Sequence, residues 1–282
     1  MNAAVTKQFR DLVAAGDEGL DLARAALQVA RIQYPSMEVD DYLLKLDQMA
    51  ALVGGRLQKD ASHEDVLRAI NRHLFAELKF AGNGKEYYDP RNSYLNDVLE
   101  RRLGIPITLS IIYLEIGWRL GLPLQGVSFP GHFLVKLPVE EGEIVLDPYA
   151  GGISLGKEEL EMRLMGVTPP NRAHGGVMDL AQFLESAPRT EILHRMLRNL
   201  KAIYLNARDD EKALAIIEHM LCVRPEDVET VRDRGFVFKR LGCFRLAVED
   251  LSRYLAARPD ADDVDEVRGQ LMDSQRSAAR LH

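Results

Sequence analysis

The sequence predicts a mostly helical α+β protein with two globular parts. Its 282 residues suit about two domains of ordinary size. Apolar residues follow a helical period from about residue 5 to 80 and again after residue 190, whereas the middle of the chain alternates short apolar runs with turn residues. The last part also repeats itself at a fixed interval. These observations indicate a helical N-terminal segment, an α+β core and an all-α repeat domain.

Residues 1–80 are predicted to form helices that pack on the core. Apolar residues recur there at the spacing of one helix face: Val66, Leu67, Ile70, Leu74 and Leu78. Ser62 stands before this run as the predicted N-cap, and acidic residues follow it at the positive end of the helix dipole. No catalytic spacing occurs in the segment, so it is interpreted as a covering layer.

Residues 81–162 are predicted to form the α+β core. The stretch from Pro106 to Leu120 opens with proline, which is favoured at the first helical position, and it is apolar nearly all round. Such a pattern indicates a buried central helix. Three short runs bounded by turn residues follow, at 124–129, 132–137 and 143–146. One buried helix followed by antiparallel strands predicts an α+β layer and not a parallel βαβ sheet.

The C-terminal residues 190–282 carry an internal repeat of 34 residues. A linker is predicted before them at 163–189, because this stretch is rich in proline and glycine, and a short helix is predicted within it near 179–184. Each repeat has an aromatic residue, a small residue, an aliphatic residue and a proline in the same order. They are Tyr204, Ala213, Ile217 and Pro225, then Phe238, Ala247, Leu251 and Pro259. This period and order match the tetratricopeptide pattern of two antiparallel helices per repeat. An acid-rich helix start at 260–266 predicts a final capping helix.

Composition and charge exclude several classes of function. The net charge is -7, which lacks the excess of lysine and arginine that phosphate binding requires, so we expect no nucleic-acid partner. The first residues do not form a signal peptide, and the most apolar stretch is too short and too interrupted to span a bilayer. Only two cysteines occur, Cys222 and Cys243, and no histidines share metal-ligand spacing with a third donor. The expectation is a cytoplasmic protein without membrane contact, metal or other cofactor.

The middle of the chain contains a group of residues in the order expected of a catalytic site. A buried helix is followed by His132, predicted to open a strand, and by Asp147 at the end of a later strand. This order resembles a cysteine-protease or transglutaminase core, in which a thiolate at a helix N-terminus attacks a carbonyl. The histidine moves the proton and the acid orients the histidine. We therefore expect a hydrogen bond between His132 and Asp147.

Residues 87–152 resemble the bacterial SirB-one family, of the invasion-regulator type. The distinctive stretches are DPRNSYLNDVLERRLGIP, FPGHFLVK and LDPYAGG. The resemblance extends over about residues 5–280. It implies a transglutaminase-like core with C-terminal tetratricopeptide repeats, and it implies no assigned reaction.

The transglutaminase pattern can be carried onto this sequence residue by residue. It places the histidine at His132 and the acid at Asp147. The nucleophile of that pattern stands in a Gly-X-Cys run, and the corresponding run here is Gly104-Ile105-Pro106. The cysteine position therefore holds Pro106, which has neither a nucleophilic side chain nor an N–H group.

Other residues could replace the missing thiol or support the cleft. Ser110 lies one helical turn after Pro106, a distance of about 5.4 Å that weakens its approach to His132, and Thr108 has the same weakness. The alternative for Ser110 is a helix-packing residue that bonds its own backbone. The two cysteines lie in the repeats and are interpreted as structural. Asn92, Tyr94 and Asn96 either line the same cleft or cap the helix that follows.

The sequence favours a non-catalytic adaptor that holds a protein or peptide partner through its repeats and a degenerate transglutaminase-like cleft. His132 then has a structural or pocket-lining role. The alternative is a hydrolase or acyl-transferase with a triad of Ser110, His132 and Asp147. A third hypothesis is a small-molecule site in the cleft.

Overall fold

The N-terminal third of the chain is helical, as the sequence predicts. A computed structural model describes residues 3–167 and 179–280. Ser62 and Asp65 form a reciprocal capping box at the start of the fifth helix, which confirms the predicted N-cap. That helix continues into a π-helical turn, Arg72–Glu77. The helices are α1 (Ala3–Ala14), α2 (Gly16–Gly19), α3 (Leu22–Ala30), α4 (Val39–Gly54) and α5 (His63–Asn71).

The central helix and its neighbours follow. Helix α6 (Leu95–Arg101) precedes α7 (Pro106–Arg119), which begins at Pro106 and is buried from there through Gly117. Two short strands, β1 (Ala81–Gly82) and β2 (Leu103–Gly104), pair in parallel next to these helices. The predicted buried helix is therefore confirmed, and its burial follows from its apolar surface.

A five-stranded antiparallel sheet packs beside α7. The strands are β3 (Gln125–Val127), β4 (Leu134–Val139), β5 (Gly142–Asp147), β6 (Ile153–Leu155) and β7 (Ser186–Ala187). Their spatial order is β6-β5-β4-β3-β7, so β6 and β7 are the edges. Three of these strands match the predicted runs. The two edge strands are too short to show a period of two in the sequence.

One predicted position in this region was wrong. His132 does not open a strand, because its N–H donates to the carbonyl of Phe129 at 3.0 Å and closes a turn. Gly131 supports that turn with a φ of 69°, a conformation that glycine adopts without strain. The β4 ladder begins two residues later, at Leu134.

Two helices cover one face of the sheet, α8 (Lys157–Val167) and α9 (Leu180–Phe183). Leu160 and Leu164 of α8 pack with Val145 and Leu155 of the sheet in one buried cluster. Helix α8 ends inside the range predicted as a linker, and α9 confirms the predicted short helix near 179–184. Residues 168–178 of the predicted linker lie outside the described residues.

The C-terminal part is a series of antiparallel helices. They are α10 (Arg189–Ala207), α11 (Asp210–Val223), α12 (Val228–Arg240), α13 (Phe244–Ala257) and α14 (Val264–Arg280). Ala213 and Ala247, the small residues of the 34-residue repeat, are fully buried. The helices, the buried alanines and the closing helix α14 confirm the predicted repeat architecture.

The contacts of the chain divide it into two compact units. One unit runs from Ala15 to Met196, and the other joins α1 to the residues from Leu197 onward. This division falls within α10. This division differs from the boundaries predicted at residues 80, 162 and 189, because α1 packs against α11 of the repeats. The ring centroids of Phe9 on α1 and His219 on α11 lie 4.4 Å apart. The predicted boundaries remain a sequence-based prediction.

Candidate functional site

The candidate site is a hydrogen-bonded pair, His132 and Asp147, at one end of the five-stranded sheet. His132 lies in the turn that leads into β4, and Asp147 is the last residue of β5. Their Nε2 and Oδ1 atoms are 2.8 Å apart. The antiparallel pairing of Val135 with Leu146 brings these strand ends together. The bond expected between the two residues is therefore present.

Asp147 is held as a buried carboxylate. Its side chain is 2% exposed, and its Oδ1 also accepts the backbone N–H groups of Tyr149 and Ala150 at 3.0 and 3.3 Å. Its Oδ2 accepts a hydrogen bond from Arg163 Nη1 at 2.8 Å. Burial alone raises the pKa of Asp147, but the bonds from His132 and Arg163 outweigh it and hold the pKa below the usual value.

This arrangement sets the tautomer of His132. An ionised carboxylate only accepts hydrogen bonds, so the Nε2 atom that faces Asp147 carries the proton. In the neutral ring the lone pair is then on Nδ1. The side chain is 18% exposed, and Nδ1 has no partner among the described residues. The pair is thus built to accept a hydrogen bond or a proton at Nδ1.

Two arginines that the sequence analysis missed hold this pair. Arg163 lies on α8 and pairs with both Asp147 and Glu159. Its helix could have been predicted from the Glu159–Arg163 spacing and the buried Leu160 and Leu164.

Arg195 on α10 fixes the turn that carries His132. Its guanidinium donates to Ser128 Oγ at 2.7 Å and to the carbonyls of Phe129 and His132 at 3.2 and 2.5 Å. The group also lies 5.4 Å from the ring centroid of Phe133. No local pattern signals this role, because the contact joins residues more than sixty positions apart.

Aromatic rings border the pair. The ring of Tyr149 meets His132 edge-on, with 5.8 Å between centroids. It lies against Gly82, where a Cβ would come within 2.3 Å of the tyrosine ring, so only glycine fits there. Tyr87 and Tyr88 form an edge-to-face pair, and Tyr88 is 74% exposed. Burial raises the pKa of the Tyr87 hydroxyl, and the nearby Tyr149 raises it further.

The residues at and after the predicted nucleophile position are buried. Pro106 is the first residue of α7, and the side-chain hydroxyl of Thr108 bonds the backbone around it, at Ile105 and Asn92. Ser110 is fully buried, and within the described residues its hydroxyl bonds only the carbonyl of Phe133, at 3.4 Å. The structure therefore does not bring Ser110 into a hydrogen bond with His132.

The three polar residues predicted near the cleft are buried. Asn92 donates to the carbonyls of Glu86 and Tyr87 and accepts from Asn83, so it braces the 83–92 loop. Tyr94 is 1% exposed and stacks edge-on with Tyr34, and Asn96 is 5% exposed within α6. None of them caps α6 through its side chain: Tyr94 occupies the cap position, and its side chain makes no capping hydrogen bond. Asp89 instead caps the 3₁₀ turn Pro90–Asn92.

Both cysteines lie in the repeat unit. Cys222 is partly buried and Cys243 is exposed. In the part of the chain that the structure describes, no group of three or more metal-binding side chains occurs. No helix there is long and apolar enough to cross a membrane.

The repeats present a second candidate surface. Ion pairs connect the first helices of successive repeats: Lys201 of α10 with Asp233 of α12 at 2.7 Å, and Lys239 of α12 with Asp273 of α14 at 3.1 Å. Arg232 of α12 also bonds Asp263, directly before α14. This charged face consists of side chains already held in fixed positions, which lowers the entropy cost of binding a partner.

Comparison with known proteins identifies the family. A model of the transglutaminase-like superfamily matches residues 40–198, and a tetratricopeptide-repeat model matches residues 200–272. A UPF0162 protein of Xylella fastidiosa (strain Temecula1) is 42% identical over 278 residues, covering 97% of each chain. The chain belongs to the UPF0162 family. Protein SirB1 of Salmonella typhimurium is also similar, at 28% identity over 91% of this chain and 93% of that protein.

Further UPF0162 relatives have comparable lengths. The Vibrio cholerae protein is 29% identical over 86% of this chain and 88% of its own. The predicted resemblance to the SirB-one family and the predicted fold class are both confirmed by these matches. Among solved structures, a crystal structure of menin matches with a TM-score of 0.39 and 9% identity, covering 88% of this chain and 68% of menin.

Proposed function

We propose that this UPF0162 protein is a non-catalytic adaptor that holds a protein or peptide partner. The repeats supply one binding surface, and the degenerate transglutaminase-like cleft supplies the other. The observation that carries the proposal is Pro106 at the N-terminus of α7, the position where the transglutaminase pattern has its thiol. A missing thiolate removes the covalent mechanism, because a neutral hydroxyl is a far weaker nucleophile at neutral pH. A cytoplasmic location is part of the proposal.

The rival function is a hydrolase or acyl-transferase that uses Ser110, His132 and Asp147. The His132–Asp147 bond favours it, since a base oriented by an acid is half of such a triad. The burial of Ser110 and its bond to Phe133 oppose it. Nucleophile and base need to lie within hydrogen-bond reach, and a bound substrate must reach the nucleophile.

Covalent probes separate the two functions. The full-length protein is expected not to react with a fluorophosphonate probe. Residues 81–160 contain no cysteine, so a cysteine-directed probe has no site there. Peptide mapping by mass spectrometry locates any adduct. Probe labelling at Ser110, abolished in both Ser110→Ala and His132→Ala, would support the hydrolase and exclude the adaptor as sole function.

Partner binding is tested with the charged face of the repeats. Full-length protein is used as bait in an extract of its own host, and the retained proteins are quantified. Lys201→Glu with Lys239→Glu is expected to release at least one protein that the wild type retains. Arg245→Glu with Arg253→Glu, two exposed changes on α13, is the matched control. Equal retention by both double variants would contradict binding through this face, and fractionation of the same cells tests the location.

A further inference from the structure

Helix α1 is short and is held in place by few side chains. It has 12 residues, with no acidic residue in its first turn and no basic residue in its last turn to complement the helix dipole. A helix of this length is only marginally stable in water when nothing packs against it. Among residues 7–14, Phe9 is fully buried, Leu12 and Val13 are partly buried, and the others are exposed. The folding of α1 therefore depends mainly on the docking of Phe9.

Phe9 docks on α11 beside a histidine whose hydrogen bonding is incomplete. The ring centroids of Phe9 and His219 lie 4.4 Å apart, and the ring planes are tilted by 58°. His219 is fully buried, and its Nδ1 donates to the carbonyl of Ala215 at 2.7 Å. Because a carbonyl only accepts, Nδ1 carries the proton of the neutral ring and Nε2 keeps a lone pair. This Nε2 atom is buried and has no donor among the described residues.

Helix α1 does not supply what this buried acceptor lacks. The ring of Phe9 has no N–H or O–H group, so the anchor of α1 leaves the lone pair of His219 Nε2 unsatisfied, which is costly in a buried place. A tyrosine or tryptophan anchor would carry a hydrogen-bond donor on the ring that packs against the imidazole. Helix α1 is therefore an incomplete occupant of the surface that it covers.

The same surface carries an acidic group. Glu218 precedes His219 on α11 and is partly buried. Burial raises the pKa of its carboxyl group, and the positive charges of Arg234 on α12 and Arg10 on α1 act against this rise. Arg10, the residue after the anchor, thus lies close enough to act on the carboxylate. An aromatic anchor followed by a basic residue is the pattern that matches this surface.

We propose that the α11 surface beneath α1 is a docking site for an amphipathic helix of a partner protein, anchored by a tyrosine or tryptophan that a basic residue follows. Helix α1 covers the site in the free protein and is displaced when the partner binds. The occupant is a partner and not a second copy, because α1 of any copy carries Phe9 and leaves the same lone pair unsatisfied. This site goes beyond the adaptor function proposed above, whose charged face belongs to α10, α12 and α14.

The first experiment asks whether α1 and a free helix compete for the site. The probe is a fluorescein-labelled synthetic peptide with the α1 sequence, AAVTKQFRDLVA, titrated with full-length protein and followed by fluorescence polarisation. Phe9→Ala protein is expected to bind this peptide at least about tenfold more tightly than the wild type does, because its own α1 no longer holds the site. Lys7→Ala, an exposed change on α1, is the control and should bind as the wild type does. Equal affinities of the wild type and Phe9→Ala would overturn the proposal.

The second experiment tests the hydrogen-bond donor. Two further peptides carry Phe9→Tyr or Phe9→Trp, and at least one of them is expected to bind the Phe9→Ala protein about fivefold or more tightly than the unchanged peptide does. Adding His219→Phe to the protein removes the acceptor and should abolish this gain. A lack of gain with both anchors, or a gain that persists without His219, would overturn the proposal.

The third experiment needs no protein variant. The tighter of the two peptides is added unlabelled to ¹⁵N-labelled wild-type protein, and hydrogen exchange of residues 7–14 is followed by NMR. Exchange is expected to speed up, because the displaced α1 unfolds. Unchanged exchange at saturating peptide would contradict displacement. Wild-type protein is also expected to elute at one size at all concentrations in size-exclusion chromatography, whereas a dimer that Phe9→Ala abolishes would make a second copy the occupant and overturn the proposal.

Discussion

At the scale of single residues, Asp147 organises the candidate site. It accepts hydrogen bonds from two side chains and two backbone N–H groups, so its charge is well compensated although it is buried. Because it is ionised, it assigns the proton of His132 to Nε2 and leaves Nδ1 for a ligand. The hydrogen bond that orients the histidine is thus present at a site whose predicted nucleophile position holds proline.

Replacing Asp147 with asparagine is expected to destabilise the Ala15–Met196 unit by about 1–3 kcal/mol at pH 7. The pKa of Asp147 is lowered on folding, so its contribution is complete above the unfolded pKa of about 3.9 and is lost as pH falls through the lower folded value. Urea unfolding followed by Trp118, the chain's single tryptophan, measures this at pH 7 and pH 3.

The difference between wild type and Asp147→Asn is therefore expected to shrink at pH 3. Asp40→Asn provides the control, since Asp40 is 82% exposed in its pair with Arg24. A difference that stays constant between pH 7 and pH 3 would mean that the charge of Asp147 contributes nothing.

Pro106→Cys tests whether His132 and Asp147 can activate a thiol placed at the N-terminus of α7. In a background with Cys222→Ser and Cys243→Ser, the new thiol is expected to react with iodoacetamide at pH 6.5 at least about tenfold faster when His132 is present than when it is replaced by alanine. The helix N-terminus and a nearby imidazolium both stabilise a thiolate. The same variant with His132→Ala is the comparison, and equal rates for the two would show that His132 does not reach this position.

At the scale of elements, the repeats depend on small residues at helix crossings. Ala247 on α13 is fully buried, and a Cβ on Gly235 of α12 would come within 2.8 Å of the Leu251 side chain. The two helices therefore pack closely, which explains why the 34-residue pattern keeps alanine at this place.

Ala247→Leu is expected to destabilise the α12–α13 pair by about 1–3 kcal/mol, because extra methylene groups force the helices apart. Hydrogen exchange of α12 and α13 amides in the full-length protein reports this change locally. Ala256→Leu adds the same groups at an exposed position of α13 and should have little effect. Equal protection in both variants would argue against a tight crossing at Ala247.

At the scale of the whole molecule, the first helix packs with the helices of the C-terminal repeats in one compact unit. Phe9 of α1 is fully buried and packs on His219 of α11 within one unit. His219 Nδ1 bonds the carbonyl of Ala215 at 2.7 Å, while its Nε2 is buried without a partner among the described residues. Burial therefore lowers the pKa of His219.

This buried histidine predicts acid sensitivity of α1 and α11. A histidine whose pKa is lowered on folding stabilises the fold above its unfolded pKa of about 6.5, and this stability is lost as pH falls below it. Each unit of pKa depression corresponds to about 1.4 kcal/mol. Hydrogen exchange of α11, corrected for its intrinsic pH dependence, is expected to show weaker protection at pH 5.5 than at pH 7.5.

His219→Gln is expected to abolish the loss of protection between these two pH values, whatever its own cost in packing. His63→Gln, a change at an exposed histidine of α5, should behave as the wild type does. Retention of the full pH effect in His219→Gln would assign it to another group.

The sequence was most informative where the relevant signal is local. The helical period, the Ser62 cap and the Pro106 helix start each lie within a few turns of chain, and the 34-residue repeat compares two neighbouring hairpins. The structure contains all of them. His132 was predicted to open a strand, but β4 begins two residues later, because the backbone N–H of His132 bonds the carbonyl of Phe129 and closes a turn.

The sequence by itself determined the fold class and the repeat architecture, and it placed a proline at the predicted nucleophile position, since these follow from residue type and spacing. Only the tertiary structure decided that Arg163 and Arg195 hold the site, that α1 packs on the repeats, and that β6 is an edge strand among the described residues. These features join residues far apart in the chain. They depend on how sheet and helices pack, and packing of distant residues leaves no periodic trace in the sequence around any one of them.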